Sequence, residues 1–185
     1  MDRKDFLKSC ASGLCACTAA ALLPASSLSA AETAKSEDWK LPFVQKRYAK
    51  LLEILESRMD KEELNEVLVA LGTFCSSLSD AWIEKHRGDP EGFCRAFKQG
   101  SSGDDVTYDA ERGIITMISP ERTECFCPLN SKKTPGVVCN CSLGWQTHTW
   151  ETFFRKKVRV ELKEAVLRGG KRCIFEIHLE KSSPA

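Results

Sequence analysis

Two segments early in the chain repeat apolar residues three and four positions apart. The first runs from Phe43 to Met59, and its spacing predicts an amphipathic helix. Asp60 followed by Glu63 has the spacing of a capping box, so a second helix is expected to begin there. The expected buried face of this second helix carries Leu64, Val67, Leu68, Leu71, Cys75 and Leu78. The pattern therefore places one cysteine, Cys75, on a buried stripe.

The patterning changes from helical to strand-like after a third, shorter helix. Asp89 and Pro90 are typical of a helix start, and Gly100 is typical of the residue just beyond a helix end. Two short runs rich in β-branched residues follow at 106–108 and 114–118, and they flank a polar turn. This arrangement predicts a β-hairpin.

The rest of the chain divides into a loop, a helix and two strands. Residues 119–144 are rich in Cys, Pro, Asn and Gly and are expected to form a loop, followed by a helix over 145–155. Strands are expected over 158–167 and 172–180, joined across Gly169-Gly170, which suits a tight turn. The predicted fold is α+β, with N-terminal helices packed on an antiparallel sheet that ends in a C-terminal β-hairpin, and with a cysteine-rich loop.

The register of the C-terminal hairpin is predicted by placing Arg168 opposite Lys171. One face then pairs apolar residues or cysteine across the strands, and the other face pairs opposite charges. The pairs are Val160–Leu179, Leu162–Ile177 and Val166–Cys173 on the first face, and Arg159–Glu180, Glu161–His178 and Lys163–Glu176 on the second. This register turns Glu164 inward opposite Phe175, where a buried carboxylate needs a partner.

The first 31 residues have the order of segments found in an export signal. A charged start, Arg3-Lys4-Asp5-Phe6-Leu7-Lys8, precedes an uncharged stretch and small residues up to Ala31. The charged start resembles the twin-arginine export signal, with Lys4 in place of the second arginine. This resemblance implies export of an already folded protein to the periplasm or another extracytoplasmic space. A lipid anchor at Cys17 and an ordinary buried N-terminal helix are the alternatives.

Removal of this signal leaves a chain of ordinary domain size. Residues 32–42 are expected to be a linker, 43–181 a single domain and 182–185 a tail. The whole chain has a formal net charge of +1, and because the signal holds three basic and two acidic residues, the remainder is neutral. A neutral domain lacks the clustered basic field of a nucleic-acid-binding surface. The apolar stretch of the signal is shorter than the roughly 20 residues of a stable membrane span. The oligomeric state stays open.

Cysteine carries the strongest chemical signal in this sequence. Ten cysteines occur, three of them in the signal, and the remaining seven cannot all pair within one chain. Cys125-Phe126-Cys127 and Cys139-Asn140-Cys141 are two Cys-x-Cys units, and thiolates two residues apart can turn toward one ion. The units predict a metal site with zinc as the expected metal. Disulfides between the units, an iron–sulfur centre and free thiols are the alternatives.

Three stretches of the C-terminal third occur in a characteristic order. They are Cys141-Ser142-Leu143-Gly144-Trp145, Val158-Arg159-Val160-Glu161 and Gly169-Gly170-Lys171-Arg172-Cys173-Ile174-Phe175. They resemble the closing half of the vinyl-4-reductase domain family, and are similar to related uncharacterised and thiazoline-carboxylate hydrolase-like bacterial families. The resemblance implies an α+β fold that binds small, often hydrophobic, molecules, with a zinc held in some members by three cysteines and a glutamate.

This resemblance also suggests metal ligands in this chain. Cys141, Glu161 and Cys173 match three of the family's ligand positions, while the fourth, a cysteine in the family, holds Glu164 or Ala165 here. Because the predicted register turns Glu164 inward, we expect Glu164 to be the ligating carboxylate. The expected metal ligands are therefore Cys125, Cys127, Cys139, Cys141, Cys173 and Glu164.

These observations favour a binding module over an enzyme. A closed four-ligand zinc site contributes folding energy and performs no chemistry. We expect the metal to brace the loop, and a small-molecule ligand to occupy an apolar pocket between helices and sheet. The rival is a hydrolase or thiol-redox enzyme that uses an open metal position or a reactive thiolate such as Cys141 or Cys173, with His148 as the histidine best placed to assist. A disulfide-stabilised structural domain is the third possibility.

Overall fold

The computed structural model describes residues 39–180, so the predicted export signal and the tail lie outside the described residues. In this range five α-helices pack with one four-stranded antiparallel sheet. The helices are α1 (Lys40–Arg58), α2 (Lys61–Ser77), α3 (Asp80–Lys85), α4 (Pro90–Gln99) and α5 (Cys139–Phe154). The strands are β1 (Asp105–Asp109), β2 (Ile114–Ile118), β3 (Val158–Glu164) and β4 (Ile174–Leu179), in the order β1-β2-β4-β3 across the sheet. The predicted α+β class is confirmed.

Local capping signals begin two of the helices where the sequence places them. The Asp60 carboxylate accepts hydrogen bonds from the backbone amides of Glu62 and Glu63 at 2.8 and 2.9 Å, which completes the predicted capping box of α2. The Asp89 carboxylate accepts a hydrogen bond from the Gly92 amide at 2.8 Å, with Pro90 in the first turn of α4. Within residues 39–180, no helix combines the length and the apolar character that crossing a membrane requires.

An aromatic core fills the space between α4, α5 and the sheet. The Phe93 and Phe153 rings stack with their centroids 4.3 Å apart. Trp150 is 1% exposed, and its indole N–H donates to the Gln146 side-chain oxygen at 2.9 Å. Because the indole donor is satisfied, this large side chain can be buried without leaving an unpaired polar group. The sheet side of the core is supplied by Ile115, Met117, Phe175 and Ile177.

Helices α2 and α5 approach each other through small residues. A Cβ atom added at Gly72 would overlap the backbone carbonyl of Cys141, and one added at Gly144 would overlap the backbone of Val69. One helical turn further along α2, the Ser76 and Thr149 hydroxyls form a fully buried hydrogen bond of 2.8 Å. The crossing therefore depends on glycines at the point of closest approach and on one buried polar pair.

This crossing corrects the predicted buried face of α2. The buried residues are Leu64, Leu68, Gly72 and Ser76. Cys75 is exposed, Val67 is 43% exposed and Leu78 is 74% exposed. The prediction was wrong because it followed the large apolar residues, whereas the contact with α5 is made by small ones.

The C-terminal hairpin keeps its predicted faces but not its predicted register. Val160 pairs with Ile177 and Val158 pairs with Leu179, a shift of two residues from the expected pairing. A bulge between Leu162 and Glu164 and a 3-10 turn over Val166–Arg168 shorten the strands. Because side chains alternate with a period of two, a two-residue shift leaves the residues before the bulge on their original faces. The bulge breaks this alternation for Glu164, which pairs with Ile174, so the predicted position of Glu164 opposite Phe175 was wrong. The shift also removes the predicted pairing of Val166 with Cys173.

A cysteine-lined cavity as the candidate functional site

Five cysteines line one cavity of about 70 Å³ in the described part of the chain. Cys125 and Cys127 come from the loop before α5, Cys139 and Cys141 from the first turn of α5, and Cys173 from the residue before β4. The other lining residues are Tyr48, Asn130, Val138, Ser142, Leu162, Ala165, Leu167 and Phe175. All seven cysteines of residues 39–180 are free thiols.

The start of α5 places one Cys-x-Cys unit on a helix. This helix begins at Cys139, six residues before the predicted start, so Cys139 and Cys141 are not loop residues as expected. The Arg168 guanidinium donates to the Gly136 carbonyl oxygen at 3.1 Å and to the Asn140 side-chain oxygen at 2.6 Å. These bonds hold the first turn of α5 against the β3–β4 connection, near Cys173.

The loop that carries the other unit is fastened at several points. The Gln45 amide nitrogen of α1 donates to the Pro128 carbonyl oxygen at 2.8 Å. The Arg122 guanidinium donates to the Ser102 carbonyl oxygen at 2.7 Å, and the Cys173 amide donates to the Ser119 hydroxyl at 2.9 Å. The loop is therefore tied to α1, to the segment before β1 and to the start of β4.

Asn130 is a polar residue with an unsatisfied atom beside the cysteines. It is 9% exposed, and its side-chain nitrogen donates to the Cys125 sulfur at 3.3 Å. Its side-chain oxygen is buried and has no hydrogen-bond partner within the described residues. A buried acceptor without a partner costs about 1–3 kcal/mol. The lone pairs of this oxygen are therefore available to a hydrogen-bond donor or to a cation in the cavity.

Burial weakens the acidity of Cys127, Cys139, Cys141 and Cys173. Burial, and to a smaller extent the neighbouring thiols with Cys75 foremost, raise the pKa of Cys141 to about 12. Burial raises the pKa of Cys139 to about 11 although Arg168 acts in the opposite direction. Burial also raises the pKa of Cys127 and of Cys173. Neutral thiols are poor nucleophiles, whereas a bound cation would favour their thiolate forms.

Tyr48 on α1 faces the same group of thiols. Burial, and to a smaller extent the nearby cysteines with Cys141 first, raise the pKa of Tyr48 to about 12. The sequence analysis used Tyr48 only as an apolar position of a helix, and it did not single out Asn130. A polar atom on an otherwise apolar helix face is the signal that could have drawn attention to Tyr48.

The cavity sulfurs are near one another but are not drawn together into a closed ligand set. Within residues 39–180, no three of them lie within 4.8 Å of one another. In a tetrahedral zinc site with Zn–S bonds of about 2.3 Å, the sulfurs are about 3.8 Å apart. The cysteine side chains would have to rotate toward the centre of the cavity to share one ion.

The group of three potential ligands that does meet this distance in the described residues lies elsewhere, on β3 and β4. It consists of Glu161, Glu176 and His178. The His178 ring nitrogen Nε2 lies 3.8 Å from a carboxylate oxygen of each glutamate. Glu161 also pairs with Lys163 at 2.9 Å and with Arg159, so its charge is already balanced. Glu161 is not among the residues that line the cavity, although it matches a family ligand position.

Glu164 and His148 also lie outside the cavity lining. A Glu164 carboxylate oxygen accepts hydrogen bonds from the Lys171 and Arg172 amides at 2.6 and 3.2 Å, so it closes the β3–β4 turn. The His148 ring nitrogen Nε2 is 2.8 Å from a carboxylate oxygen of Asp80. The structure thus brings together the five predicted cysteines and leaves Glu164 apart from them.

The described fold is similar to that of known structures. A trafficking protein particle complex subunit 3 from Naegleria fowleri, covalently bound to palmitic acid, has a TM-score of 0.51 and 18% identity, covering 78% of this chain and 98% of that chain. A vinyl-4-reductase family protein from Methanocaldococcus jannaschii has a TM-score of 0.39 and 17% identity, covering 76% of this chain and 82% of that one.

An H-NOX protein from S. oneidensis in the Fe(II)NO ligation state has a TM-score of 0.45 and 14% identity, covering 76% of this chain and 74% of that one. Neither a protein-family model nor a curated protein matches the chain. At these identities the likeness to the Naegleria protein concerns the fold alone, and the other two TM-scores are too low for that conclusion. Membership of the vinyl-4-reductase family stays a prediction.

Proposed function

We propose that the cysteine-lined cavity binds one soft metal ion, zinc, and that the protein is an exported, metal-bearing binding module. The observation that carries the proposal is the convergence of five thiols from three separate segments on one small cavity beside the unpaired Asn130 oxygen. Thiolates are preferred ligands of zinc, and four of them complete a structural site. The ion would brace the loop against α5 and the sheet.

The size of the cavity agrees with an ion as its contents. A water molecule needs a cavity of at least about 10–15 Å³, and this cavity measures about 70 Å³. Pockets for organic ligands measure about 300–1,000 Å³. A small organic molecule would therefore need a rearrangement of the surrounding loop, whereas an ion with its rotated ligands would not.

The acidity of the thiols favours this proposal over a thiol enzyme. Because burial holds the pKa of Cys141 at about 12, Cys141 is not a ready nucleophile at neutral pH. His148, the histidine considered as a base for Cys141, lies within hydrogen-bond distance of Asp80 instead. Metal binding would release the thiol protons, and the cation would balance the negative charge of the resulting thiolates.

The test is metal analysis of the purified full chain together with cysteine variants. We expect about one zinc ion per chain, and protection of four thiols from a thiol reagent until a chelator is added. Replacement of zinc by cobalt should produce the sulfur-to-cobalt charge-transfer absorption of a thiolate site. The double variant Cys125→Ser/Cys127→Ser leaves three of the five cavity thiols, one fewer than a four-sulfur site needs, and should lower the metal content at least tenfold.

A matched control separates ligand loss from general damage. Cys94 is buried in the aromatic core and does not line the cavity, so Cys94→Ser should keep its zinc. Far-UV circular dichroism should show both variants folded. The proposal fails if the wild-type chain binds no zinc after reduction and reconstitution, or if Cys94→Ser and Cys125→Ser/Cys127→Ser lose metal equally.

A further inference from the structure

Two rows of large apolar residues are exposed on α1 and α2. On α1, Val44, Leu51 and Ile54 are 43%, 49% and 47% exposed. On α2, the exposed row consists of Val67, Phe74 and Leu78, with exposures of 43%, 60% and 74%. In each helix two of these residues are seven positions apart and the third follows three or four positions later. Such spacing places the residues of each row on one helix face.

These rows are distinct from the faces that attach the two helices to the domain. The inward faces pack through Leu52 of α1 and through Leu64 and Leu68 of α2, which cluster with Val138. The exposed rows therefore contribute little to the stability of a single chain. Contiguous exposed apolar patches on soluble proteins mark interaction sites.

The two helices also carry opposite net charges. Helix α1 has five basic and two acidic residues, a net charge of +3, and α2 has one basic and three acidic residues, a net charge of −2. We propose that α1 and α2 form the interface of a homodimer in which α1 of one copy lies against α2 of the other. In a two-fold symmetric contact each pairing occurs twice, so the charge complementarity is doubled.

The two helices are large enough for such an interface. A stable interface buries about 800 Å² per partner and involves about 20–30 residues. Helices α1 and α2 contain 19 and 17 residues and are joined through Met59 and Asp60, and 22 of these helical residues are exposed.

The charges favour a second copy over a membrane surface. Basic α1 alone would suit an anionic bilayer, because such surfaces attract amphipathic helices with basic residues. The acidic residues Glu62, Glu63 and Glu66 of neighbouring α2 would be repelled from it. A second copy of the chain instead presents an acidic helix to the basic one.

The test is the concentration dependence of the mass of the full chain, measured by sedimentation equilibrium with a reductant present. We expect a dimer at micromolar concentration, and at least a tenfold weaker self-association in Phe74→Asp. Ala110→Asp is the matched control, because Ala110 is an exposed residue of the β1–β2 turn, outside both rows and outside the cavity lining. Circular dichroism and thermal unfolding should show both variants folded to the same extent.

Three results would overturn the dimer. A wild-type chain that stays monomeric at 100 µM contradicts it, as does a Phe74→Asp variant that associates as strongly as Ala110→Asp. Binding of a monomer to vesicles of phosphatidylcholine and phosphatidylserine, abolished by Leu51→Asp, would assign the α1 row to a membrane instead.

Discussion

Substitution of Gly72 by alanine tests whether the α2–α5 crossing governs the stability of this fold. The added Cβ would lie 2.8 Å from the Cys141 carbonyl carbon and 2.9 Å from the Trp145 amide nitrogen, and it would overlap the Cys141 carbonyl oxygen. Ordinary contacts of a Cβ atom are 3.4 Å or longer. The neighbours are backbone atoms that cannot rotate away, so the two helices must separate by more than one ångström to clear the Cys141 oxygen.

Two opposing contributions set the expected magnitude. Glycine to alanine in a helix interior stabilises by about 1 kcal/mol when nothing obstructs the methyl group. Separation of packed surfaces by 0.5–1 Å forfeits about a quarter to a half of each dispersion contact, and overpacking costs about 1–3 kcal/mol. We expect the steric cost to prevail at its upper end, so Gly72→Ala should lower the free energy of unfolding by about 2 kcal/mol.

Urea denaturation followed by far-UV circular dichroism measures this change. The midpoint should fall while the slope of the free energy with urea stays constant, because the unfolded state exposes the same surface. Ala70→Gly is the control, since Ala70 is exposed on the same helix and should lose only about 1 kcal/mol of helix propensity. A Gly72→Ala protein as stable as the wild type would refute the close crossing.

Two further predictions concern buried polar groups. Ser76→Ala should destabilise the protein by about 1–3 kcal/mol, because it leaves the buried Thr149 hydroxyl with one fewer partner. In urea denaturation, the double variant Ser76→Ala/Thr149→Val should lose less stability than the sum of the losses of the two single variants. Burial raises the pKa of Asp104 above its ordinary 3.8, more than Ser102 and Arg122 lower it. The folded state therefore binds the proton more tightly, so stability falls as pH rises from 3.8 through the raised pKa. Asp104→Asn should be more stable than the wild type at pH 7 and lose this advantage below pH 3.8, and an advantage independent of pH would contradict the assignment.

Local patterns were sufficient to predict most of the secondary structure. The capping carboxylates Asp60 and Asp89 begin their helices where expected, because a cap needs only residues a few positions away. The β1–β2 hairpin and the two faces of the β3–β4 hairpin also follow from alternation along the chain. The same kind of local spacing singled out the two Cys-x-Cys units as potential metal ligands.

Contacts between distant segments could not be predicted in this way. The buried face of α2 was misassigned because Gly72 and Ser76 meet α5 through an approach that hydrophobicity does not encode. The bulge after Leu162 displaced the hairpin register, since it depends on hydrogen bonds across strands and not on residue type alone.

The composition of the cavity shows the same division. Spacing along the chain brought Cys125 near Cys127 and Cys139 near Cys141, but Tyr48 and Asn130 join them only through the packing of α1 and the loop. Burial then decides the acidity of the thiols, because the desolvation of a sulfur depends on every segment around it. Residue type and spacing therefore determined the potential ligands, and tertiary packing determined their neighbours, their protonation and the size of the space between them.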